Sequence, residues 1–294
     1  MRFLAVALLA LLLPACPVPP RLHPRAAEEV SRGYRYLASG DAERAEVAFR
    51  HSLAFDPDFP EGENGLGLVA RTRGDLAAAR RSFERAISLR PDFAEAHANL
   101  GELLLADGDG QEAEHRLRVA LDIDPDLADA RQNLARLLLW RGLEPGQDRS
   151  ACFAAARREI LHLIEADPGR AAAHHDLGFM AYLEASFPRA EASYRRATEL
   201  DPRSAEAHHG LCLALVRLGR CDEAVASCAH CLEVNPALAQ CRKSIAGARA
   251  CAGAPEEPRA PPTPSPSTSL PAPGTPAPTA ASSPQPSPRP PAAR

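Results

Sequence analysis

A pattern 34 residues long recurs along this chain and leaves few folds open to it. Between Pro60 and Phe93 it reads Leu66-Gly67, Gly74, Ala79, Phe83, Ala86 and Pro91. One period on, Leu100-Gly101, Gly108, Ala113, Leu117, Ala120 and Pro125 follow in the same order. Leu177-Gly178, Ala190, Tyr194, Ala197 and Pro202 repeat it again. Within each half the apolar sites fall three and four apart, the spacing of one face of a helix. Small residues such as Gly67 and Ala79 let two antiparallel helices approach closely, and the proline stops the second one. A hairpin of this size cannot bury its apolar face alone, so successive hairpins must stack.

Six units are in register: 26–59, 60–93, 94–127, one beginning at 128, 171–204 and 205–238. The first carries Gly33, Tyr36, Gly40, Ala45, Phe49 and Pro57 at matching positions. In the fourth, Leu134-Ala135 fit, but Ala156, Ile160 and Pro168 lie nine residues late. The insertion is expected at about 143–151, in the turn between two helices, where Pro145 and Gly146 break structure. Residues 239–251 read as a closing helix without a partner, with Ile245 and Ala246 packing and Gln240, Arg242, Lys243 and Arg249 in water.

These repeats resemble the tetratricopeptide family over 26–251. The resemblance implies an all-α, right-handed superhelical solenoid of six helical hairpins plus a C-terminal capping helix. It also implies an inner wall built from the first helix of each repeat, here Tyr34, Leu37, Leu68, Arg71, Glu102, Leu105, Arg136, Leu139, Phe179, Tyr182, Leu213 and Val216. Such a wall is largely apolar with charged interruptions and suits a helix or strand of another protein. Asn99 and Asn133 share one repeat position, where an amide can pair with a bound backbone or within its own array. The family's clamp for a terminal carboxylate is missing, because Val30, Asn64 and Ala98 stand at the corresponding sites.

Met1-Arg2, the apolar run Phe3 to Leu13 and then Pro14-Ala15-Cys16 read as a secretory signal over 1–15. Leu13, Ala15 and Cys16 resemble a bacterial lipobox, from which Pro14 departs. That resemblance makes Cys16 the lipid attachment site and 16–25 a tether. From 252 to 294, fifteen residues are proline and Leu270 alone is large and apolar, a composition that builds no core. A lipidated cysteine, a short tether and six tandem repeats are together similar to the pilotins of type IV pilus systems. This implies a lipid-anchored outer-membrane protein that faces the periplasm and helps secretin subunits assemble.

Six of the eight cysteines lie between Cys212 and Cys251, which points to an oxidising compartment. In an antiparallel hairpin, residues at equal height are equidistant from the turn. Cys231–Cys241 and Cys221–Cys251 both centre on Pro236, and Cys212–Cys228 centres on Arg220, so these are the expected pairs among fifteen possible connectivities. Cys152 is left over. His174-His175 and His208-His209 stack one period apart; adjacent histidines on a helix diverge by about 100°, so neither pair chelates alone. His175 and His209 fall on the inner wall, and no metal or cofactor is expected.

A formal charge of -4 disfavours nucleic acid, and no phosphate loop, nucleophile elbow or paired-ligand metal motif supports an enzyme. The leading expectation is a membrane-anchored scaffold for another envelope protein. The alternatives are an adaptor for a cell-wall or polysaccharide-synthesis enzyme, and a thiol-disulfide carrier.

Overall fold

The computed structural model describes residues 23–253. The 1–15 signal segment, Cys16 and the proline-rich stretch beyond Gly253 lie outside the described residues. Among those described there are thirteen helices and no strand. They run as antiparallel pairs: α1 (Pro24–Ala38) with α2 (Ala42–Phe55), α3 (Pro60–Thr72) with α4 (Leu76–Leu89), and α5 (Ala94–Asp107) with α6 (Gly110–Ile123). α7 (Ala128–Arg141) pairs with α8 (Arg149–Ala166), α9 (Ala171–Leu183) with α10 (Phe187–Leu200), and α11 (Ala205–Arg217) with α12 (Cys221–Val234). α13 (Ala239–Ala252) closes the stack against α11 and α12. None of these helices is long and apolar enough to cross a membrane.

Local chemistry sets each hairpin. The chain leaves the first helix through a left-handed residue, Gly40, Gly74, Gly108 or Gly219, with φ between 75° and 87°. Ala185 holds the same place in the fifth repeat at φ 57°, where a Cβ is strained. An aspartate then caps the second helix: Asp41, Asp75, Asp109 and Asp148 accept from the N–H three residues on at 2.9–3.2 Å. Where the two helices cross, a large side chain lies flat on a small one. A Cβ added at Gly67 would stand 2.5 Å from the Phe83 ring, so only glycine fits.

The core runs through the stack as contiguous clusters. The first holds Ala26, Val30, Ala45, Phe49 and Phe59; the central one extends from Ala79 and Phe83 to Ile160 and Met180; the last includes Tyr194, Leu215 and Cys228. Three disulfides staple the far end. Cys212–Cys228 ties α11 to α12, while Cys221–Cys251 and Cys231–Cys241 tie α12 to α13, with Cα separations of 5.4, 5.4 and 6.2 Å. Cys152 is free and half-buried in the first turn of α8.

Two boundaries and one packing position differ from the sequence expectation. Helix α1 begins at Pro24, inside the segment assigned to the tether, because proline suits the first helical turn. The fourth repeat spreads its nine extra residues between a longer turn and a longer helix: α8 has 18 residues against 14 in α6, and Arg149, Ser150 and Ala151 are helical. Asp148 sets that start by capping. In α13, Ala246 is exposed while Cys241 and Ala248 are buried. The Ala246 position is the one that elsewhere lies under the second helix of a hairpin, as Gly67 lies under Phe83. Among the described residues no second helix follows α13, so nothing covers it.

Candidate functional site

The first helices of the repeats line up along one wall, and their side chains divide into an apolar set and a polar set. Leu37, Leu68, Leu105, Phe179, Tyr182, Leu213 and Val216 are half-buried, each with apolar surface left facing outward. Leu139 belongs elsewhere. It is 1 % exposed within the central core, against which Phe179 and Leu183 of α9 pack, so it is not a wall residue.

The polar side chains are largely engaged with one another across repeats. Asn64, only 2 % exposed, donates to the Tyr34 hydroxyl at 3.1 Å and accepts from Asn99 Nδ2 at 2.9 Å. Burial pushes the Tyr34 hydroxyl up to about 12, so it stays protonated throughout the useful pH range. Asn99 thus commits an amide proton inside the array, whereas Asn133, one repeat on, is half-buried. Arg71 is ion-paired with Glu102 of the next repeat.

The densest polar cluster joins the fourth and fifth repeats. Asp176, 3 % exposed, accepts from Arg136 Nε at 3.0 Å and Gln132 Nε2 at 3.0 Å, and lies 3.1 Å from His175 Nδ1. Burial acts to raise the Asp176 carboxyl, but the Arg136 guanidinium and the His175 contact outweigh it and hold it below the usual carboxylate range. Gln132 Oε1 accepts from Arg170, which also reaches Asp129 at 2.6 Å. Sequence reasoning missed Asp176 and Gln132. The available signal was positional, because Asp176 follows Asn133 by one period plus the nine-residue insertion.

The histidines fall into two kinds. His97, His174 and His208 each place Nε2 at 3.0–3.1 Å from the carbonyl oxygen of a proline six residues back, Pro91, Pro168 and Pro202. Arg131 does the same to Pro125 at 2.6 Å. In the third to sixth repeats this one position therefore locks the turn that joins a hairpin to the one before it. His175 and His209 lie toward the wall: His175 packs edge-on against Tyr194, with ring centroids 5.5 Å apart, and His209 Nε2 lies 2.9 Å from Ser244 Oγ of α13. No group of three or more metal-ligating side chains converges among the described residues. The arrangement offers shape and hydrogen-bonding edges along a wall, the equipment of a binding surface.

Residues 64–128 and 184–230 match the family model described as Tetratricopeptide repeat. The fold is a tetratricopeptide-repeat solenoid. It is similar to PilF of Pseudomonas aeruginosa, with 18% identity, a TM-score of 0.61 and coverage of 76% of this chain and 97% of that one. It is similar also to PilW, described as a widely conserved type IV pilus biogenesis factor, with 18% identity, a TM-score of 0.62 and 75% and 98% coverage. The chain aligns with TTC0263, a thermophilic tetratricopeptide protein of Thermus thermophilus, at 24% identity, a TM-score of 0.57 and 65% and 99% coverage. At these identities the likeness is one of fold. No curated protein sequence matches the chain. The half-buried apolar side chains of this wall, interrupted by fixed polar pairs, have the composition of a contact surface.

Proposed function

We propose that this tetratricopeptide-repeat protein is a pilotin-like assembly factor, held at the bacterial outer membrane through lipid on Cys16 and facing the periplasm. Its inner wall binds a segment of another envelope protein, in the first instance a type IV pilus secretin subunit. The observation that carries the reading is the length of the likeness: this chain spans 97% of PilF and 98% of PilW, so the match takes in nearly their whole stack. The lipobox-like Leu13-Pro14-Ala15-Cys16 and the tripled disulfide at the far end fit an envelope protein. The half-buried Leu68, Leu105, Phe179, Tyr182 and Leu213 supply apolar contacts, with Arg71–Glu102 and Arg136–Asp176 as fixed polar interruptions.

Deletion of the gene in its host tests the proposal. Loss of heat-resistant secretin multimers and of surface pili, restored by the wild-type gene but not by Cys16→Ser, is the expected result. Normal secretin assembly with altered wall or polysaccharide composition overturns it in favour of an adaptor for a synthetic enzyme.

A further inference from the structure

The chain leaves the described fold beside an aromatic edge. Cys251, near the end of α13, is bonded to Cys221, the first residue of α12, with the Cα atoms 5.4 Å apart. One repeat earlier the position of Cys221 is held by Phe187, the first residue of α10. There Tyr182 and Phe187 meet edge to face with centroids 5.6 Å apart, and Arg217 of α11 lies over the Phe187 ring at 4.2 Å. All three are half-buried, and Arg217 pairs with no carboxylate among the described residues. α13 packs against α11, which carries Arg217, and Cys251 stands one 34-residue period after Arg217, so the exit point and this edge lie one repeat apart along the stack.

The segment that leaves from here has matching chemistry. Forty-one residues follow Gly253, and their only acidic side chains are Glu256 and Glu257. At about 3.1 Å per residue an extended chain puts those carboxylates roughly 10 Å beyond Gly253, within reach of Arg217. Pro258, Pro261, Pro262, Pro264 and Pro266 come directly after. Proline rings on an extended backbone are the ligand that exposed aromatic edges accept, since little conformational entropy remains to be lost.

We propose that residues 254–266 dock back on the edge formed by Tyr182, Phe187 and Arg217 of the same chain, with Glu256 or Glu257 on the guanidinium and the following prolines on the rings. The Cys221–Cys251 bridge holds the exit in position for this contact. The edge shares Tyr182 with the partner-binding wall, whereas Phe187 and Arg217 lie outside the wall set, and an intramolecular crosslink reads this contact whether or not the wall binds a secretin.

The test uses the full-length oxidised protein carrying Phe187→p-benzoylphenylalanine, irradiated as an equal mixture of 14N- and 15N-labelled chains. Tyr182→p-benzoylphenylalanine serves as a second probe if the first variant unfolds, as judged by circular dichroism. Photocrosslinks that map to 254–266 within single-isotope chains are expected. They should fall about fivefold in a Glu256→Arg/Glu257→Arg background, the size of one exposed ion pair at the upper end. The probe at Leu76, which holds the same edge position in the second repeat, should give no such crosslinks. Mixed-isotope crosslinks only, equal yield from Leu76, or no product within 254–266 overturns the proposal.

Discussion

At the scale of single residues, the wall's polar side chains act first as internal fasteners. Asp176 illustrates the consequence. Its charge is compensated by Arg136, Gln132 and His175, so Asp176→Ala leaves three donors without their shared acceptor. A loss of about 2 kcal/mol in urea unfolding is expected, in the range for a hydrogen-bonded buried charge. The turn-locking histidines carry a pH signature. Burial holds the imidazoles of His97 and His208 below their ordinary value, against the opposing pull of the proline carbonyls. A group with a lowered folded value binds its proton more readily when unfolded. Its contribution is therefore complete above about pH 6.5 and is lost as pH falls through that region. The melting temperature should drop between pH 7 and pH 5, and less steeply in His97→Gln/His208→Gln. Equal slopes for the two proteins would remove the histidines from the explanation.

At the scale of the helical hairpin, two kinds of position matter. Ala185 sits at φ 57° where Gly40, Gly74, Gly108 and Gly219 stand in other repeats. Ala185→Gly should raise stability by about 0.5–1 kcal/mol in urea unfolding, since relief of the left-handed strain exceeds the added entropy of the unfolded chain. Gly67 is the opposite case. Gly67→Ala puts a Cβ into the Phe83 ring and should cost about 1–3 kcal/mol as the two helices separate. The recurring glycines and the small-residue crossings were legible in the chain because each is decided within one 34-residue unit, whereas the strain at Ala185 shows only in the backbone angle. The start of α8 was not legible either. The insertion could be counted from Pro168, but its division between turn and helix depends on Asp148 capping four extra helical residues.

At the scale of the whole molecule, stability should fall off toward the ends, because each hairpin holds chiefly to its neighbours. The far end has a covalent substitute for packing: α13 buries only Cys241 and Ala248, and two disulfides hold it to α12. Each bridge closes a short loop and contributes about 3 kcal/mol in the chain-entropy picture. Under reducing conditions, amide exchange should therefore accelerate in α13 and α12 while α3 to α7 stay protected. Uniform acceleration along the stack would show instead that the repeats unfold as one unit.

The order of helices, their number and the small-residue crossings follow from the repeat alone, since contacts inside a hairpin join residues a few turns apart. The partners of the wall residues do not. Asn99 with Asn64, Arg71 with Glu102 and Asp176 with Arg136 join residues 31 to 40 apart in different repeats. The angle between stacked hairpins decides which of them meet. That same angle carries α9 against the central cluster that holds Leu139, a residue whose repeat position alone assigns it to the surface. A periodic sequence specifies each unit, and the packing between units selects which side chains remain free to bind.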